Sequence, residues 1–152
     1  MNGMQILTRA GRGIMDFTFV DGDSKDFDLE TYIKILIAIA KADKDNGPRE
    51  FEYVRKQAQR LGVDYDRFLA STEKTFDINK QRVSRLTALV VLRDAIMIAS
   101  MDRNFSLPER QKVYGFAAKL DIPRNDVDYL EECLKEYRAL SEKWDGLVAG
   151  NY

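Results

Sequence analysis

Two short stretches of the chain set oxygen-bearing side chains in the same order. They read Ala42-Asp43-Lys44-Asp45-Asn46-Gly47-Pro48-Arg49-Glu50 and Met101-Asp102-Arg103-Asn104-Phe105-Ser106-Leu107-Pro108-Glu109. In each, an aspartate closes one apolar segment and a glutamate opens the next, so Asp43, Asp45 and Glu50 correspond to Asp102, Asn104 and Glu109. Carboxylate and amide oxygens from a tight loop are the ligands that calcium, magnesium and manganese take. Asp43 and Asp102 add a second reason. A carboxylate at a helix C-terminus faces the negative end of the macrodipole, which disfavours it by roughly 0.3–1 kcal/mol, and a bound cation would supply the counter-charge. These six residues are the candidate metal ligands for a divalent cation. No organic cofactor is expected.

The same residues also have a use in folding alone. Asp43 and Asp102 can bond to backbone N–H groups two or three residues on, as Asx-turns do. Ser106-Leu107-Pro108-Glu109 has the form of a capping box, with proline near the helix start. Gly47 can cap the first copy in the same way, which puts Glu50 three residues in. Lys44 and Arg103, beside the aspartates, can supply positive charge without a metal. A calcium-binding EF-hand is excluded by spacing. That loop needs glycine at its sixth position and glutamate at its twelfth, where the chain has Pro48 and Val54 in one copy and Leu107 and Val113 in the other.

Other chemistries are excluded by residues the chain lacks. Among 152 residues there is no histidine, which removes histidine acid–base catalysis and nearly all zinc sites. One cysteine, Cys133, cannot form an internal bridge, and the plain reading is a reducing, cytoplasmic setting. It lies on or beside the stripe Val127, Leu130, Leu134, Tyr137 and Leu140 and is expected to be packed rather than reactive. A net charge of −1 supplies no field for a phosphate backbone, so nucleic acid is not an expected partner. With no nucleophile–base pair and no glycine-rich phosphate loop, the chain is not expected to be an enzyme. The longest apolar run, Leu86 to Met101, is broken by Arg93 and Asp94 and is too short to span a bilayer. No continuous apolar stretch follows Arg9 and Arg12, so a secretory signal is not expected.

Helices must position these groups. Apolar spacing and capping signals predict about seven of them. Asp28 can cap a helix from Leu29 to about Lys41, with Tyr32, Ile35, Leu36 and Ile39 inward. Pro48 opens a second helix with Val54 and Ala58 inward, Gly62 ends it, and Asp64 caps a shorter third. The order then repeats: about Gln81 to Met101, Leu107 to Leu120, and Asn125 to about Trp144, the last two separated by Pro123. Leu86 to Met101 is apolar nearly all round and should be the centre of the domain, with Arg93 and Asp94 either on its one wet side or in a charge network. Gly115 is expected to permit close helix packing, and Trp144 to close the end of the core. Residues 1–28 form an N-terminal arm, helical at Met4, Ile6, Leu7 and Ile14 or extended at Met15, Phe17 and Phe19. It either packs on the bundle or reaches a second subunit as a homodimer contact. Residues 29–152 form the domain itself.

The repetition extends beyond the junctions. Ile37 to Asp66 recurs without a gap as Ile96 to Asn125, and Ile37, Ile39, Ala40, Asp43, Glu50, Val54, Ala58 and Leu61 meet identical residues. A period this long, appearing twice, reads as a duplicated helical unit. The apolar helix ending in an aspartate, the turn, the glutamate and the apolar stripe into Leu61-Gly62 or Leu120 resemble the TerB-like family, named after tellurite-resistance proteins. The resemblance covers about Leu29 to Tyr137. It implies an all-α single-domain bundle of two related three-helix units about a pseudo-two-fold axis, with acidic residues of both halves displayed together and a link to metal ions and stress response. By position those residues are Asp43, Glu50, Asp102 and Glu109. Lys44 and Arg103 occupy the family's usual glycine place. The expected function is thus a non-enzymatic accessory protein holding calcium, magnesium or manganese, with protein partners, or alternatively a metal-free interaction module.

Overall fold

The computed structural model describes residues 25–42, 48–73, 75–100 and 105–151. These are all-helical, with six α-helices, one short 3₁₀ turn and no strand among them. The helices are α1 (Leu29–Ala42), α2 (Pro48–Arg60), α3 (Tyr65–Ser71), α4 (Arg85–Ala99), α5 (Leu107–Lys119) and α6 (Arg124–Ala149), with the 3₁₀ turn at Ile78–Lys80. The described residues fall into two compact units, one ending at Asp128 and one beginning at Tyr129. Each is taken by itself. Most of the expected N-terminal arm, residues 1–24, lies outside the described residues.

In the first unit α1 packs against α2, α3 and α4, and α4 packs against α5. Tyr32, Ile33, Ile35, Leu36, Ile37, Ala38 and Ala40 are all buried on α1, and Val90, Val91, Leu92, Ala95 and Ile96 on α4. The centre is therefore a pair of helices, where the sequence pointed to α4 alone. Each fully buried Leu, Ile or Val contributes on the order of 1.5–3 kcal/mol, so the pair forms the main apolar mass of the unit. α2 buries a narrow stripe, Val54 and Ala58, as the spacing of its apolar residues requires.

Local signals set most of the boundaries. Pro48 occupies the first position of α2, where its missing N–H costs nothing. Asp64 caps α3 by accepting from the Arg67 N–H at 3.3 Å. α4 begins later than its expected start near Gln81. Ser84 is extended and its hydroxyl accepts from the Thr87 N–H at 3.0 Å, a cap that excludes residues 81–84 from the helix. The Asp28 carbonyl accepts from the Tyr32 N–H at 2.8 Å, but the Asp28 carboxylate was expected to cap α1 and holds the start of α4 instead. It accepts from the Ser84 N–H at 3.0 Å and the Thr87 hydroxyl at 3.2 Å. The Asp28 N–H donates to Thr87 Oγ1 at 2.8 Å, so the two central helices are joined at their starts. At the far end of α1, the Lys41 ammonium donates to the carbonyls of Leu69 and Thr72, satisfying acceptors that the end of α3 leaves open.

α2 and α5 end in the same way on different residues. The Val63 N–H bonds the Ala58 carbonyl at 2.9 Å around Gly62, and the Ile122 N–H bonds the Ala117 carbonyl at 2.8 Å around Asp121. Both are Schellman closures, which need a left-handed residue. Gly62 adopts φ +76° without penalty, whereas Asp121 adopts φ +60° with a side chain attached. Gly115 departs from its expected role. A methyl group built there meets nothing within 4 Å, so no helix packs closely against it.

From Tyr129 onward the second unit's described part is the continuation of α6, with Lys135 lying 3.7 Å from Glu131 and 3.8 Å from Glu132. Leu140, Trp144, Leu147 and Val148 are exposed. Trp144, expected to close the end of the core, is 37% exposed. Cys133 is half-buried.

Three substitutions test this account of the helix ends and surfaces by urea unfolding. Gly115→Ala should raise stability by about 0.5–1 kcal/mol, since alanine removes the backbone-entropy cost of a mid-helix glycine and meets no neighbour. Asp121→Gly should raise it and Gly62→Ala lower it, each by about 1 kcal/mol.

Candidate functional site

Glu50 and Glu109 are both third residues of their helices, one on α2 and one on α5, where a carboxylate complements the positive end of the macrodipole. Both line the same cavity of about 330 Å³. The ends of α1 and α4 supply its apolar side through Leu36, Ile39, Ala40, Ala95, Ile98 and Ala99. The start of α2 supplies Glu50, and α5 with its cap supplies Ser106, Pro108, Glu109, Lys112, Val113 and Phe116. Three pairs among these residues are repeat-equivalent and identical: Ile39 with Ile98, Ala40 with Ala99, and Glu50 with Glu109.

Of the six candidate ligands, Asp43, Asp45, Asp102 and Asn104 lie outside the described residues. The two glutamates are brought to one place. Among the described residues no three carboxylate or cysteine side chains gather as a metal-binding group. Glu109 is also part of a complete capping box: its Oε1 accepts from the Ser106 N–H at 3.0 Å, and Ser106 Oγ accepts from the Glu109 N–H at 3.3 Å. Helix capping thus engages one of its two carboxylate oxygens and holds the side chain in a fixed direction.

The second polar constellation lies deeper. Asp94 is wholly buried and accepts from four side chains. Tyr32 donates to its Oδ2. Tyr53 donates to Oδ1 at 2.6 Å, and the Arg93 guanidinium reaches Oδ1 through Nε at 2.9 Å and through a terminal nitrogen at 2.8 Å. Gln57 Nε2 lies 3.5 Å from Oδ2 and donates to the Tyr32 oxygen at 3.0 Å. The charge network that the sequence offered as one reading of Arg93 and Asp94 is present, and it joins α1, α2 and α4. Burial and then the facing Asp94 charge push both phenols well above the usual tyrosine value. Burial, the largest single influence, would lower Arg93, but the Asp94 charge and hydrogen bond together with the facing Tyr53 and Tyr32 hold the guanidinium above its ordinary range. Tyr53 is three residues from Glu50, a spacing that shares a helix face. Its bond to Asp94 fixes the rotation of α2 and with it the position of Glu50 at the cavity.

Sequence reasoning missed Lys112 and Phe116 as cavity residues and Tyr53 and Gln57 as partners of Asp94. A signal for the latter was available, since a charge pair inside an apolar helix requires donors, and a tyrosine on the inner stripe of α1 and another beside that of α2 can provide them. Lys112 had none, because its repeat counterpart is Tyr53 and the duplication points away from it.

The network sets a pH dependence. A phenol held neutral in the folded state contributes stability that is complete below about pH 10 and is lost as pH rises through the raised folded values. Urea unfolding between about pH 8 and 12 should show stability falling above pH 10, with a shallower fall in Tyr32→Phe/Tyr53→Phe. Asp94→Ala, which removes the carboxylate partner of buried Arg93 and of both phenols, should lose about 3–5 kcal/mol.

No family model, curated protein or solved structure matches this chain. What the cavity can bind therefore follows from its own lining.

Proposed function

We propose that the protein is a non-enzymatic, cytoplasmic accessory or stress-response protein resembling TerB, which binds calcium, magnesium or manganese between two related helical units. The observation that carries this reading is the convergence of Glu50 and Glu109 on one cavity. On this reading each three-helix unit contributes a glutamate from its second helix, and the identical isoleucine and alanine pairs lining the same cavity support a pseudo-two-fold between them. Asp43, Asp45, Asp102 and Asn104 complete the oxygen set from the junctions that precede those glutamates in sequence. Protein partners, and a homodimer through the N-terminal arm, belong to the same proposal.

A metal-free interaction module is the second reading. It is favoured by the predominantly apolar lining of the cavity, by the presence of Lys112 in it, and by the use of Glu109 in capping. Cations of the hard divalent class gain little from apolar walls.

Calorimetric titration of the three ions into chelator-treated protein separates the two. On the cation reading, heat is released and the melting temperature rises, by an amount set by ion concentration over Kd, and both effects vanish in Asp43→Asn/Asp102→Asn. Absence of heat and of any thermal shift at millimolar ion would leave the metal-free module.

A further inference from the structure

The cavity has features that a metal ion does not use. At about 330 Å³ it falls within the range of small-molecule sites, far larger than one cation needs. Its lining combines the Ile39 and Ile98 pair with Leu36 and Phe116, which offers an apolar track, and it carries two carboxylates on different helices. Among the described lining, two glutamates face one cationic residue, Lys112. The capping box preorganises Glu109, which reduces the entropy lost when a ligand engages it. Acids at two repeat-equivalent positions with identical apolar residues at two others match a ligand whose two ends are alike: charged at each terminus and apolar between.

We propose that this cavity binds a linear aliphatic diamine, one ammonium group at Glu50, the other at Glu109, and the methylene chain along Ile39, Ile98 and Phe116. The proposal goes beyond the cation reading. It shares the two glutamates with that reading but requires the apolar lining and no metal. Because the two glutamates stand on different helices, affinity is expected to depend on chain length, and the like charge of Lys112 disfavours additional ammonium groups.

The test uses the full chain in the presence of a chelator, titrated calorimetrically with the series from 1,3-diaminopropane to 1,8-diaminooctane and with the matching monoamines. One chain length should bind best, and the monoamine of that length should bind roughly tenfold or more weakly, the loss of one charge-assisted contact. Glu50→Gln and Glu109→Gln should each reduce diamine affinity to about the monoamine level. Glutamine keeps the capping bond at position 109, so the charge is removed without removing the helix start. Asp66→Asn, at an exposed position of α3, is the control and should leave affinity unchanged. Equal binding of diamine and monoamine, an affinity indifferent to chain length, an equal loss in Asp66→Asn, or no heat at millimolar diamine would each overturn the proposal. The monoamine comparison uses unmodified protein, so it stands even where a variant fails to fold. Because a chelator is present throughout, diamine binding and metal binding succeed or fail independently.

Discussion

The first compact unit depends on one buried carboxylate. Asp94 sits without solvent exposure in the middle of α4, and an unpaired charge there would cost several kcal/mol. Arg93 neutralises it from the adjacent position, and two phenols and an amide satisfy the remaining lone pairs. Adjacent residues on a helix normally point apart. The long arginine side chain folds back, so both charges remain within the protein. Because the donors come from α1 and α2, the carboxylate can be satisfied in only one mutual arrangement of three helices. Apolar packing of Ile and Leu alone would leave that arrangement less specified.

That arrangement in turn determines the cavity. α1 and α4 are tied at their starts by Asp28, Ser84 and Thr87 and again by the bond from Tyr32 to Asp94, and their far ends meet as the apolar side of the cavity. α2 is held through Tyr53 and Gln57, which places Glu50. Glu109 is held locally by Ser106. The two glutamates thus reach the same cavity by different means: one through a tertiary network, the other through its own helix cap. The sequence repeat relates their positions but not the forces that hold them.

Much of the fold could be read from residues acting over short range. Pro48, Gly62 and Asp64 act within a turn of the chain, and the structure places helix boundaries where those residues require them. Asp28 and Gly115 were misread for a common reason. A capping aspartate and a mid-helix glycine each have a default partner along the chain, but what they actually face is decided by elements distant in sequence. For Asp28 that is the start of α4; for Gly115 it is open space. The start of α4 was placed too early because residues 81–84 contain no glycine or proline to exclude a helix, whereas extended Ser84 acts as the cap and starts it at Arg85.

By itself the sequence determined that the described chain is helical, where most of its helices begin and end, and that glutamates occur at two equivalent helix starts. Periodicity, capping and proline placement act through the backbone within a few residues, so they survive in a linear reading. Only the tertiary structure decided that Glu50 and Glu109 share a cavity, that Lys112 and Phe116 join them, and that Asp94 is satisfied by Tyr32, Tyr53 and Gln57. Each of those facts depends on the rotation of one helix about its axis relative to another. Helix rotation is set by packing and by the demand of a buried charge for donors, neither of which is written at any single position of the chain.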